Sequence, residues 1–78
     1  MPRAPRVTAP QVVRVLREVG FIRARVHGSH WVFRHPVTKR RVVVPYHGSR
    51  VIPSGTLANL LREAGLSAAE FERFLKGS

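Results

Sequence analysis

Residues 21–46 read FIRARVHGSHWVFRHPVTKRRVVVPY, and this stretch decides the fold. Apolar and polar side chains alternate along it with a period of two, which is typical of half-buried β-strands. Turn residues at 27–29 and 36–39 separate three such runs, over about residues 22–26, 30–34 and 41–46. Because the connections are this short, the three strands are predicted to form an antiparallel meander.

Helical patterns flank the predicted sheet on both sides. A capping box of Thr8 and Gln11 starts a helix that is predicted to run to about Val19. A second helix over about residues 54–64 and a short third helix after residue 67 follow the sheet. The order α-β-β-β-α with an extra terminal helix predicts an α+β fold: a three-stranded antiparallel sheet with the helices on one face, plus a short C-terminal helix.

Length and composition limit the class of protein. A chain of 78 residues supports one compact domain. Residues 1–7, rich in Pro and Arg, are predicted to be a flexible basic arm, and residues 8–78 a single domain. Because Cys is absent, disulfides and a cysteine nucleophile are excluded. With four Glu and no Asp, the sequence also lacks the converging carboxylates of a two-metal phosphodiesterase.

Positive charge is concentrated in the first fifty residues. The whole chain carries 14 Lys and Arg against 4 Glu, a formal charge of +10, and residues 51–78 hold three of each sign. Such a field attracts polyanions, which indicates a nucleic-acid partner. No stretch approaches the roughly 20 apolar residues of a membrane span, so we expect a cytoplasmic protein with no membrane partner.

Strand alternation predicts which side chains the sheet buries and which it presents to solvent. Seven are expected to face the interior: Ile22, Ala24, Val26, Trp31, Phe33, Val42 and Val44. Six are expected on the open face: Arg23, Arg25, His30, Val32, Arg34 and Arg41. A single surface Arg is ordinarily just solvated, but four like charges on three short strands repel one another. A polyanionic partner relieves that repulsion.

His30 is the candidate catalytic residue on this predicted open face. Neighbouring cations disfavour the charged imidazolium and so favour a neutral ring nitrogen that accepts a proton. In RNA the useful proton is on the 2′-hydroxyl, whose oxygen then attacks the adjacent phosphorus without a metal, while Arg side chains stabilise the growing negative charge. DNA has no such hydroxyl. His and Arg without carboxylates therefore indicate RNA chemistry.

The remaining histidines carry weaker signals. His27 and His30 lack the spacing and the carboxylate companions of a metal site, so neither a metal nor another cofactor is predicted. His35 is interpreted as a strand-end residue, and His47 as a solvated or capping residue at the start of a loop. Gly55-Thr56-Leu57 is interpreted as the start of a helix with Leu57 in the core, in preference to a phosphate cradle.

An ordered series of motifs resembles the HicA toxin family of bacterial and archaeal toxin–antitoxin systems. The likeness spans Pro10 to about Leu66. It consists of Gly28-Ser29-His30, Phe33-Arg34-His35-Pro36, Arg41-Val42-Val43-Val44-Pro45-Tyr46-His47, Ile52-Pro53-Ser54-Gly55-Thr56-Leu57 and Leu60-Leu61-Arg62-Glu63-Ala64-Gly65-Leu66. Ser54 and Ala58 depart from the pattern, because members often carry basic residues at these two positions.

The resemblance implies a double-stranded-RNA-binding-domain-like fold and an mRNA interferase that halts translation until a HicB-like antitoxin covers its site. The catalytic histidine of the Gly-Ser-His motif falls on His30. The predicted RNA-contacting residues are Arg23, Arg25, Ser29, Arg34 and Arg41. The predicted partners are therefore mRNA and a HicB-like protein.

Two other functions remain open from the sequence. A non-catalytic module would bind structured RNA through the basic face alone, and a protein-interaction partner would present that face to an acidic antitoxin. For the enzyme, one histidine cannot donate and accept a proton in one step. The second role falls to His47, Tyr46, water or another state of His30, and the sequence does not choose among them.

Overall fold

The computed structural model of the chain describes residues 6–77. In this part the elements follow one another as α1 (Ala9–Glu18), β1 (Ile22–His27), β2 (His30–Arg34), β3 (Arg41–Pro45), α2 (Ser54–Ala64) and α3 (Ala68–Lys76). The strands form one antiparallel sheet in the order β1-β2-β3. The predicted α+β class, the element order and the meander are therefore confirmed.

The helices begin and end at the predicted residues. The Gln11 side-chain oxygen accepts a hydrogen bond from the Thr8 backbone N–H at 2.9 Å and so caps α1. At α3, Ser67 and Glu70 cap each other's backbone N–H groups, at 3.0 and 2.9 Å. Helix α2 ends at Gly65, whose φ of +76° is readily adopted by glycine. None of these helices is long and apolar enough to span a bilayer within residues 6–77.

The hydrophobic core lies between the helices and the two strands β2 and β3. Phe33, Val42 and Val44 are fully buried, as predicted, and Trp31 is half-buried. Helix α2 packs against β3, and α1 contacts both β3 and α3. Leu57 is buried, which confirms that the start of α2 belongs to the core. The opposite face of the sheet is left to solvent.

Strand β1 lies outside this core. Ile22 is 60% exposed and Val26 is 45% exposed, and Ala24 is exposed as well. The prediction that these three side chains are buried in the interior is wrong. The helices pack mainly on β3, and β1 is the edge strand on the far side of the sheet. The alternating residues of β1 therefore form a strand, but the helices do not cover it.

A β-bulge in β1 changes which side chains reach each face. Arg23 pairs with Phe33, but Arg25 pairs with Val32, which leaves Ala24 without a cross-strand partner. Cross-strand partners share a face, so Arg23 lies on the helix side with buried Phe33, whereas Arg25 lies on the open side. The prediction is confirmed for Arg25 and wrong for Arg23, because one extra residue reverses the alternation at that point.

The folded domain begins no later than Val7. Val7 is fully buried, and its carbonyl accepts a hydrogen bond from the Ile52 N–H at 2.8 Å, while Thr8 forms a bridge with Val51. The sequence assigned Val7 to the flexible arm, and its burial corrects that boundary. The first five residues of the predicted arm lie outside the described residues.

His35 has a structural role at the end of β2. Its Nδ1 accepts hydrogen bonds from the backbone N–H groups of Val37 and Thr38, and its Nε2 lies 3.0 Å from the Val19 carbonyl. Because Nδ1 accepts, the ring proton is on Nε2 and is donated to Val19. The ring also packs edge-on against Phe21, with centroids 5.1 Å apart. His35 thus joins the end of α1 to the β2–β3 turn, which agrees with its interpretation as a strand-end residue.

Candidate nucleic-acid interface and active site

The open face of the sheet arranges its side chains in three cross-strand rows. Their members are His27, His30 and Pro45 in the first row, Arg25, Val32 and Val43 in the second, and Ile22, Arg34 and Arg41 in the third. Neighbouring rows are two residues apart along a strand, which is about 7 Å. Three of the four predicted arginines and His30 therefore share one surface, which we call the basic face.

His30 is the first residue of β2 and follows the tight turn at Gly28, whose φ is +54°. Its side chain is exposed and makes no hydrogen bond to another described residue. The Tyr46 backbone N–H donates to the Ser29 carbonyl at 2.6 Å, which holds the start of β2 against the end of β3. The imidazole is thus accessible while the backbone that carries it is fixed.

The three arginines of the basic face lie at different distances from His30. Arg25 is diagonal to His30 across the β1–β2 pair, a position in which Cα atoms are about 7–8 Å apart. Arg34 and Arg41 face each other two rows away, about 14 Å along the strands. Together with Ala24 and Val32, the three arginines line a shallow hollow of about 230 Å³.

The other two predicted RNA-contacting residues, Arg23 and Ser29, do not belong to the three rows of the basic face. The Arg23 guanidinium lies 4.9 Å from the centroid of the Trp31 ring on the helix side, a cation–π contact. Trp31 stacks in turn on Tyr46, with centroids 3.9 Å apart and an angle of 8° between the rings. Ser29 is half-buried in the turn beside His30.

Carboxylates are kept away from the basic face. All four glutamates lie in helices: Glu18 in α1, Glu63 in α2, and Glu70 and Glu72 in α3. Glu18 pairs with Arg14, and Glu72 with Lys76, each at 3.0 Å. Within residues 6–77, no three His or Glu side chains come together as a metal site.

A groove of about 450 Å³ adjoins the first row of the basic face. It is lined by Pro45, His47, Arg50, Val51, Ile52, Pro53 and Thr56. Pro45 is the cross-strand partner of His30, so the groove includes the residue opposite that histidine in the sheet. The sequence named His47 as one of several open choices, and it did not predict Arg50 or Thr56 as site residues. Gly48 after His47 was the available signal, since it favours a tight turn that brings residues 47 and 50 together.

The chain can be compared with known proteins now that its sheet and site are described. The family model for the HicA toxin of bacterial toxin–antitoxin systems matches residues 9–66. The match starts at the first residue of α1 and ends before α3, so it includes the sheet, the basic face and the groove. None of the curated proteins matches the chain. Because the family model covers well over half of the 78 residues, the chain belongs to the HicA toxin family of bacterial toxin–antitoxin systems.

Proposed function

We propose that this HicA-family toxin is a metal-independent endoribonuclease that cleaves mRNA with His30. The observation that carries the proposal is the composition of the basic face: an exposed histidine and three arginines share one side of a sheet from which every glutamate is absent. A phosphodiester chain is attracted to such a surface, and a histidine there meets the ribose 2′-hydroxyl without competition from a neighbouring carboxylate.

His30 acts as the general base in this proposal. Its ring nitrogen removes the proton from a 2′-hydroxyl as the 2′-oxygen bonds to the adjacent phosphorus, and the bond from phosphorus to the 5′-oxygen breaks. The products are a 2′,3′-cyclic phosphate on one fragment and, once the leaving 5′-oxygen has taken up a proton from a second donor, a 5′-hydroxyl on the other. Arg25, which of the three arginines of the basic face is in the row next to His30, stabilises the negative charge that develops on the phosphate.

Arg34 and Arg41 bind the RNA away from the cleaved bond. They face each other about two rows from His30, which matches a phosphate further along the same strand better than the reacting one. This arrangement supports binding of the substrate in an extended, single-stranded form, with the sheet as the platform. In the cell, that substrate is mRNA in the cytoplasm.

The antitoxin in this proposal is a HicB-like protein that covers the basic face. A surface with this charge and with no carboxylate favours an acidic partner. An acidic partner bound there would exclude RNA by occupying the same residues. Purified antitoxin should then compete with RNA for the toxin, and the competition should weaken as salt is raised.

The test is to incubate the purified protein with RNA in the presence of EDTA and to identify the new ends. We expect fragments with 2′,3′-cyclic phosphate and 5′-hydroxyl ends. His30→Ala should lower the rate by about 10²-fold or more, the usual contribution of a general base, and should still bind RNA. His27→Ala is the matched control, because His27 is an exposed histidine in the same row. Intact RNA with wild-type protein would favour the non-catalytic binding module, and undiminished cleavage by His30→Ala would refute the role of His30.

A further inference from the structure

The groove beside His30 contains a second exposed histidine. His30 and Pro45 are opposite each other in the β2–β3 pair, and the Pro45 ring is also part of the groove wall. His47 follows two residues later and lines the same groove. Pro45 thus connects the two histidines: it is the cross-strand partner of His30 and lines the groove together with His47.

The residues that line the groove offer the kinds of contact that one nucleotide of a phosphodiester chain can make. Pro45, Val51 and Pro53 offer apolar surface to a ribose or a base, and Thr56 adds a hydroxyl. The Arg50 N–H donates to the His47 carbonyl at 3.2 Å, so a turn places these two side chains at the same wall. Neither side chain is engaged by another described residue. A cation and an imidazole are therefore both available to a phosphate and its leaving group.

We propose that His47 is the second proton-transfer residue and that this groove holds the nucleoside whose 5′-oxygen leaves. The inference rests on the proposed ribonuclease activity. As the 2′-oxygen attacks phosphorus and its proton passes to His30, the bond from phosphorus to the 5′-oxygen breaks, and the protonated His47 ring gives a proton to that oxygen. His30 ends protonated and His47 neutral, so no metal or other co-reactant is consumed.

The other groups near His30 are less suited to this role. Tyr46 stacks on Trp31, and His35 uses both ring nitrogens in hydrogen bonds to the backbone. His27 is opposite His30 on β1, on the side away from the groove. His47 alone among these residues lines the cavity that adjoins His30.

A leaving group that needs no proton tests the role of His47. Cleavage is first mapped on RNA with the wild-type protein, and a short oligonucleotide that contains the mapped bond is made twice, with oxygen and with sulfur at the bridging 5′ position. We expect His47→Ala to cut the oxygen substrate at least about 10²-fold more slowly than wild type. On the sulfur substrate its rate should return to within about tenfold of wild type, because a thiolate leaves without protonation.

Two control variants separate the possible outcomes. His30→Ala should be slow on both substrates, and His27→Ala should resemble wild type on both. Equal rates of His47→Ala and wild type on the oxygen substrate would overturn the inference. So would a loss that sulfur does not rescue, since His47 would then act in binding or folding. If the wild-type protein cuts neither RNA nor oligonucleotide, the proposed ribonuclease function itself fails.

Discussion

At the scale of single residues, the two arginines of β1 provide a matched pair for RNA binding. Arg25 lies on the basic face, and Arg23 lies over Trp31 on the helix side, although only the bulged Ala24 separates them. In a His30→Ala background, which prevents cleavage, Arg25→Ala should weaken binding to single-stranded RNA. The slope of log affinity against log salt should fall by about 0.7, the value for one phosphate contact.

Arg23→Ala should behave differently from Arg25→Ala. Its salt slope should stay at the wild-type value, whereas the free energy of unfolding should fall by about 0.5–1 kcal/mol through loss of the cation–π contact. Binding titrations at several salt concentrations and chemical denaturation measure the two effects. Equal changes in salt slope for both variants would mean that RNA also contacts the helix side.

Gly20 is a residue at which an added methyl group would collide with a side chain that has a structural role. Its φ is +107°, and a Cβ there would lie 2.6 Å from Nε2 of His35. Gly20→Ala should lower the free energy of unfolding by about 3 kcal/mol, because the backbone is strained and the His35 bond to Val19 is displaced. Gly48→Ala is the control, with a φ of +59° and open space around it. It should cost about 1 kcal/mol, and equal losses would show that His35 moves aside freely.

Individual site residues could be predicted from the sequence only where their face did not depend on the bulge. His30 follows a two-residue turn, so its position at the start of β2 could be deduced from the turn chemistry. Arg23 could not be placed, because nothing in the residue pattern marks Ala24 as the extra residue. Arg50 was missed because loop residues have no periodicity, and only the fold brings them beside a strand end.

At the scale of elements, the edge strand β1 marks the limit of reasoning from alternation. Ile22 and Val26 are as regularly spaced as the residues of β3, yet they are exposed while Val42 and Val44 are fully buried. Alternation identifies a strand, and coverage depends on where the helices pack. Val26 shares the helix side with Trp31, but the helices pack mainly on β3 and leave it uncovered, whereas the bulge puts Ile22 on the open face with Arg34.

Helix α3 lies beyond the region matched by the family model, and its capping box gives the domain a dependence on pH. Hydrogen bonds from the Ser67 backbone and side chain, with a smaller effect of Arg73, hold the pKa of the Glu70 carboxyl below its ordinary value. Because the folded pKa is the lower one, the carboxylate adds stability above the unfolded pKa of about 4.3. That contribution is lost as the pH falls through the folded value.

Glu70→Ala should therefore be less stable than wild type at pH 7, and the difference should shrink below about pH 4. Denaturation of both proteins at a series of pH values measures this. Glu72→Ala is the control, because Glu72 is on the same helix but pairs with Lys76 and not with the cap. A difference between Glu70→Ala and wild type that stays constant down to pH 2 would mean that lost helix propensity, and not the capping carboxylate, is responsible.

At the scale of the whole molecule, the net charge of +10 and its distribution make separate contributions to function. The net charge attracts any polyanion from a distance and is screened by salt. The basic face gives that attraction a position on the molecule, because the glutamates that would repel a polyanion are all in the helices. Composition predicted the attraction and strand alternation predicted the face, and the register of the sheet was needed to show that Arg23 is not on it.

Two triple variants of equal charge separate these contributions. The first replaces Arg25, Arg34 and Arg41 with Gln, and the second replaces Arg17, Arg62 and Arg73, which are exposed residues of the helices. Both have a formal charge of +7, from the +10 of the wild type less three. In the His30→Ala background, the first should lower the salt slope for single-stranded RNA by about 2, three contacts at about 0.7 each.

The helix triple should lower this slope by less than 1, because its arginines do not touch the bound strand. Circular dichroism and denaturation would establish that both variants fold, as Gln keeps the first part of the side-chain stem and a polar end while removing the charge. If both triples weaken binding to the same degree, net charge alone governs the encounter with RNA, and the sheet is not the surface on which the strand lies. A loss confined to the first triple would instead tie RNA binding to the rows that begin at His30.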